Sequence, residues 1–154
     1  MSKDDAAKKI GAIVKDYFEA QKREFVPGET KIPLQWPSYG FEEVNEAIES
    51  MLSTWVTMGK KVKTFENIFA NYMGSKYAAM VNSGSSANLV ALTALTNKSL
   101  KRRINSGDEV ITPAVTWATT VYPITNVGAK TVFVDVGLDY NIDVDKIEAA
   151  ITEK

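Results

Sequence analysis

Met80-Val81-Asn82-Ser83-Gly84-Ser85-Ser86-Ala87-Asn88 is the stretch on which the fold turns. An apolar run at 77–81 reads as a short buried strand, and it passes through a small polar turn straight into an apolar helix over 85–96. A helix that opens in this way points unpaired backbone N–H groups and the positive end of its dipole at whatever lies ahead of it. That arrangement is a ready anion site, and phosphate is its usual occupant. Gly84 allows close approach of the backbone, and Ser85 and Ser86 add hydroxyl donors. Taken alone, the same residues also describe a serine-capped core helix.

Downstream, the pattern repeats. A polar link over 97–108 leads to a strand at 109–112, and a helix over 116–127 follows. Pro123 should kink that helix and Gly128 should end it. A further strand at 131–136 and a helix over 143–151 complete the series. Strand, helix, strand, helix, strand, helix argues for an α/β fold with three mainly parallel strands and flanking helices. Ligands of such sheets bind beyond the carboxyl ends of the strands. That edge holds residues 82–86, 113–117 and 135–137, so the anion turn shares a crevice with Trp117. An aromatic face there can stack on a flat heterocycle, a contact worth roughly 0.5–1.5 kcal/mol beyond its burial.

Upstream, the chain is helical. Ile10, Ile13, Val14, Tyr17 and Phe18 recur at helical spacing within residues 4–21. Residues 25–40 hold Pro27, Gly28, Pro33, Pro37 and Gly40 and read as an extended connector. A second helix carries Phe41, Val44, Ala47, Ile48, Met51, Leu52 and Trp55 on one face. After a break at Thr57-Met58-Gly59, a third carries Val62, Phe65, Ile68, Phe69 and Tyr72 and stops at Gly74. Trp36, Phe41 and Phe65 are expected in a core or a subunit interface. Two parts follow: an N-terminal helix and connector, 1–40, and an α/β domain, 41–154.

Composition narrows the chemistry by what it lacks. A 45% apolar, 24% charged chain of 154 residues is ordinary for a globular domain, and its net charge of −1 makes no case for nucleic acid or an anionic membrane. Without cysteine there is no thiol nucleophile or Cys-ligated zinc, and without histidine no Ser-His-Asp triad or His-ligated metal within this chain. The turn also lacks the G-x-S-x-G of a hydrolase elbow. No apolar run approaches the ~20 residues of a membrane span, and the N-terminus has no signal-peptide core, so a cytoplasmic protein is expected.

Seven pieces in order resemble the DegT/DnrJ/EryC1/StrS family of fold-type-I pyridoxal-phosphate enzymes. They are Trp55-Val56-Thr57-Met58-Gly59-Lys60-Lys61-Val62, the helix from Phe65 to Gly74, Asn82 to Asn88, Gly107 to Pro113, Thr116-Trp117-Ala118-Thr119-Thr120, Val132 to Val136, and Asn141-Ile142-Asp143. The resemblance implies an incomplete fold-type-I large domain in which only the strands at 109–112 and 131–136 pair directly. It implies pyridoxal 5'-phosphate as the parent enzyme's cofactor, with Gly84, Ser85 and Ser86 on its phosphate and Trp117 stacked on its pyridine ring, and with weak or absent binding in this chain alone. It places Thr57, Met58 and Gly59 near a nucleotide-sugar, in a site formed between two subunits of a dimer.

The same resemblance leaves the chemistry elsewhere. The Lys that links covalently to the cofactor and the Asp that pairs its pyridine nitrogen have no counterpart here, and Lys60, Lys61 and Lys63 occupy no such position. The chain is therefore expected to be a fragment, inactive alone, with no catalytic residue of its own. The parent reaction implied is transamination of a nucleotide-linked keto-sugar by an amino-acid donor. A second branch, the sugar 3-dehydrases, shares the N-terminal helix, the long 97–106 link and Ser85-Ser86-Ala87, but usually carries Phe where Trp117 stands, so the aminotransferase branch is favoured. A non-catalytic anion-binding or interaction module is the reading from another class.

Overall fold

Ser2 opens the first helix by a reciprocal cap: its hydroxyl accepts the Asp5 N–H at 3.1 Å, while the Asp5 carboxylate accepts the Ser2 N–H at 3.2 Å. In a computed structural model of the chain, which describes residues 1–21, 25–35 and 38–153, this cap begins α1 (Lys3–Ala20). The second helix, α2 (Phe41–Leu52), starts similarly, with the Glu43 carboxylate accepting the Gly40 N–H at 2.7 Å. Hydrogen bonds from Ser2 hold the Asp5 carboxyl below its ordinary pKa, and the Gly40 N–H does the same for Glu43. Both contributions to helix stability are present above the ordinary carboxylate range and are lost as pH falls through the lowered values.

Contacts divide the chain into two units, Met1–Gly74 and Ser75–Lys154. In the first, α1 packs against α2. Gly11 lies close enough to Asn45 that an added Cβ would meet its Oδ1 at 3.4 Å. Phe18 meets Tyr39 edge-on at 6.5 Å, and the Lys15 ammonium sits over the Phe41 ring. The third helix, α3 (Lys60–Tyr72), is tied to α2 by Lys61, which donates to the Glu46 carbonyl at 2.9 Å and pairs with the Glu46 and Glu49 carboxylates. Gly74 ends it with φ +66°, a left-handed stop that suits glycine. Residue 40 marks where α2 begins, whereas the packed units divide after Gly74. Of the expected core aromatics, Phe65 is 48% exposed and Trp36 lies outside the described residues.

The second unit holds a βαβ crossover. Strand β1 (Glu109–Pro113) pairs in parallel with β2 (Lys130–Val134), in the register Ile111 to Val132, and α5 (Ala118–Asn126) connects them. This is the pairing expected for the strands at 109–112 and 131–136. The helix α4 (Gly84–Leu95) packs on α5, and Thr112, Pro123, Ile124, Ala129 and Val134 are buried. Past β2, the segment expected as one helix begins as a 3-10 turn (Val144–Lys146) and continues as a single α-turn, α6 (Ile147–Ala150).

One expectation is corrected. Three strands were expected, yet residues 77–81 carry no strand, and the sheet among the described residues is β1–β2 alone. A strand exists by hydrogen bonding to a neighbour, and none of the described elements offers 77–81 an edge. Exposure tells the same story: Tyr77 and Met80 are exposed, and α4, apolar on every side, buries no residue. The chain exposes 12846 Å² where a monomer of its mass ordinarily exposes about 7,700 Å².

Gly128 joins α5 to β2 at φ +80°, and a Cβ there would lie 3.2 Å from Ser106 Oγ. Its carbonyl accepts the Gly107 N–H at 2.8 Å, fastening the end of α5 to the start of β1. Gly128→Ala is expected to cost about 1–2 kcal/mol, read as a lower urea midpoint by Trp117 fluorescence, with the α1 capping region unaffected.

Candidate functional site

The turn before α4 is organised by Ser83. Its backbone is extended (φ −162°, ψ 160°), its carbonyl accepts the Ala87 N–H at 3.0 Å, and its hydroxyl accepts the Ser86 N–H at 3.2 Å. The Ser83 hydroxyl also donates to Ser86 Oγ at 3.2 Å. Ser83 was not singled out from the sequence, although a serine immediately ahead of an apolar helix is a recognised N-cap signal. Its effect is selective. The Ser86 and Ala87 N–H groups are satisfied, while among the described residues no acceptor meets the N–H of Gly84 or Ser85 or the hydroxyl of Ser85. A Cβ on Gly84 would find open space within 4 Å.

These groups fit a phosphate. Two N–H donors and one hydroxyl converge at the positive end of a three-turn helix, which supplies both hydrogen bonds and favourable potential. Of the expected cradle, Gly84 and Ser85 are open, whereas the Ser86 side chain is already engaged with Ser83.

Trp117 stands at the head of α5, as its extended N-cap residue (φ −69°, ψ 143°), with the ring 75% exposed. The first turn of that helix is braced by a 3.1 Å hydrogen bond from Thr116 Oγ1 to Thr120 Oγ1. The heads of α4 and α5 approach each other: Asn88 Nδ2, one turn into α4, points at the Thr119 carbonyl at 3.5 Å. The turn before α4 and the exposed Trp117 therefore belong to adjoining helix starts.

Thr57, Met58 and Gly59 lie in the first unit, in the loop between α2 and α3. Trp55 closes this loop on itself. Its indole N–H donates to the Met58 carbonyl at 3.2 Å, and its backbone N–H donates to Ser53 Oγ at 3.1 Å. A Cβ on Gly59 would lie 2.8 Å from Trp55 Nε1, so glycine is required here by the ring (its φ of −145° is open to any residue). The neighbouring Thr54 takes φ +59°. The exposed surface of the loop is formed by Trp55, Val56 and Met58.

Residues 37–154 match the DegT/DnrJ/EryC1/StrS aminotransferase family. The chain belongs to this family. It is 45% identical over 123 residues to the GDP-4-keto-6-deoxy-D-mannose 3-dehydratase of Yersinia pseudotuberculosis, spanning 79% of this chain and 31% of that protein. Among solved structures it is similar to the E. coli GDP-4-keto-6-deoxy-D-mannose-3-dehydratase with bound hydrated PLP, at TM-score 0.70 and 40% identity, over 80% of this chain and 32% of that one. It is also similar to an aminotransferase from Psychrobacter cryohalolentis, at TM-score 0.66 and 35% identity, over 78% of this chain and 29% of that one. The chain thus spans about a third of the length of the relatives it matches. Pyridoxal phosphate is the cofactor of the parent family. No described helix is long and apolar enough to cross a membrane.

Two substitutions separate cap from cradle. Ser83→Ala should cost about 1 kcal/mol of stability through the lost cap, whereas Ser85→Ala should leave the urea midpoint unchanged, its hydroxyl having no partner among the described residues. In the first unit, Gly59→Ala should push the indole off the loop, seen as a red-shifted, more quenchable Trp55 emission in a chain whose other tryptophans are replaced by Phe.

Proposed function

We propose that this chain carries the cofactor-phosphate cradle of a pyridoxal-phosphate enzyme acting on a nucleotide-linked keto-sugar, and that the enzyme belongs to the 3-dehydratase branch. The observation that carries the reading is that the N–H groups of Gly84 and Ser85 and the Ser85 hydroxyl have no partner among the described residues, in a chain of this family. When bound, pyridoxal phosphate supplies an electron sink for bond breaking next to the sugar's keto group.

The chain's own residues divide the work of holding it. The N–H groups of Gly84 and Ser85 and the Ser85 hydroxyl take the phosphate. Ser86 contributes through the cap that sets the turn's shape, and Trp117 offers a face to the pyridine ring. Thr57, Met58 and Gly59 contact the nucleotide-sugar in a dimer of the parent enzyme. Lys61 is not a candidate for covalent attachment, because Glu46 and Glu49 occupy its ammonium. The residues that move protons and break the C–O bond belong to the two-thirds of the relatives' length that this chain does not span, so the chain alone is inactive.

Sequence patterns favour an aminotransferase on the strength of Trp117. The 3-dehydratase reading rests on the relatives, since the E. coli structure shares 40% identity with this chain against 35% for the Psychrobacter aminotransferase. The two branches differ in product. A chain continued through the relatives' remaining length, given a GDP-linked 4-keto-6-deoxy sugar and glutamate, should yield a sugar lacking its 3-hydroxyl. An amino sugar as the main product would return the assignment to the aminotransferases, and turnover by the 154-residue chain alone would refute its inactivity.

A further inference from the structure

We propose that Asn88 is a positioning residue that sets the phosphate turn against Trp117, and that Pro123 makes this possible. The inference rests on the cradle reading above. In an α-helix the N–H of residue 123 would bond the carbonyl of residue 119. Proline has no N–H, so that bond cannot form in α5, although Pro123 lies inside the helix and is buried. The carbonyl left without this partner, Thr119, is the one that Asn88 Nδ2 of α4 approaches at 3.5 Å. A helix defect and a cross-helix amide therefore meet at one atom.

Position gives the contact its consequence. Asn88 lies one turn beyond Gly84 on α4, and Thr119 lies two residues beyond Trp117 on α5. Fixing Asn88 to Thr119 fixes the separation between the open N–H groups and the indole. The α4–α5 packing otherwise involves a mainly apolar helix, whose contacts are non-directional. A hydrogen bond to a carbonyl is directional, and it sets the rotation of one helix head against the other. Asn88 is exposed, so water competes for the same carbonyl; a bound phosphate and ring would exclude that water and strengthen the bridge.

The test is a double-mutant cycle in the 154-residue chain, using Asn88→Leu and Pro123→Ala. Without cofactor, 15N relaxation reports the order of Trp117–Thr119; with pyridoxal phosphate as the probe, Trp117 quenching gives its Kd. Asn88→Leu should lower the order of that segment and raise the Kd at least threefold. In the Pro123→Ala background Thr119 regains a helical partner, and Asn88→Leu should then change neither quantity. Equal effects in both backgrounds would overturn the bridge, because Asn88 would then be acting on something other than the proline-freed carbonyl. An intact order effect with no pyridoxal phosphate binding by the wild-type chain would overturn the cofactor role and the cradle reading together. Asn88→Ser, which keeps a shorter donor, should recover part of the order through a bridging water.

Discussion

Two parallel strands cannot be joined by a tight turn, and this constraint shapes the second unit. Parallel pairing of β1 with β2 demands a crossover of a dozen or more residues, and the chain spends it on α5. The crossover puts the start of α5 at the carboxyl end of β1, which is why Trp117 is displayed there at all. It also gives α4 a surface to pack on, and so brings the anion turn to the same edge. Gly128, the point where α5 returns to β2, closes the circuit by bonding back to Gly107 at the foot of β1. The heads of α4 and α5 are neighbours because of strand direction, before any side-chain contact between them is considered.

What the sequence could reveal follows from how local each signal is. The helices of the first unit were legible from their apolar spacing and from Gly74 at a left-handed stop; the Ser2–Asp5 and Gly40–Glu43 caps that open two of them are equally local but emerge only in the structure. The crossover was legible because Gly128 and Pro123 punctuate it. Residues 77–81 misled for a physical reason. Their apolarity records a burial that a neighbouring strand would provide, and no described element provides it. The polar detail of the site was hidden in a different way. Ser85 and Ser86 look equivalent in sequence, yet the cap from Ser83 consumes one and leaves the other free. Asn88 carried no signal at all, because its partner is thirty-one residues away and is defined by a missing N–H.

The apolar surfaces left open deserve the same reading as the missing strand. α4 is apolar on every side and α3 leaves Ile68 and Tyr72 in solvent. Helices of this kind are stable when covered on more than one face. The relatives that the chain matches are about three times as long. Several directional polar contacts, by contrast, close within a single unit: the Ser83 cap, the Trp55 loop closure and the Gly107–Gly128 bond.

Lys61 shows how one such contact alters reactivity. Its ammonium is held by a carbonyl and two carboxylates, first among them Glu46, and its pKa is raised accordingly. An amine attacks an aldehyde only through its unprotonated lone pair, and at the half-exposed Lys61 that form is scarcer than on an unpaired lysine. The cross-link that joins α2 to α3 thus also makes this amine less available to an aldehyde.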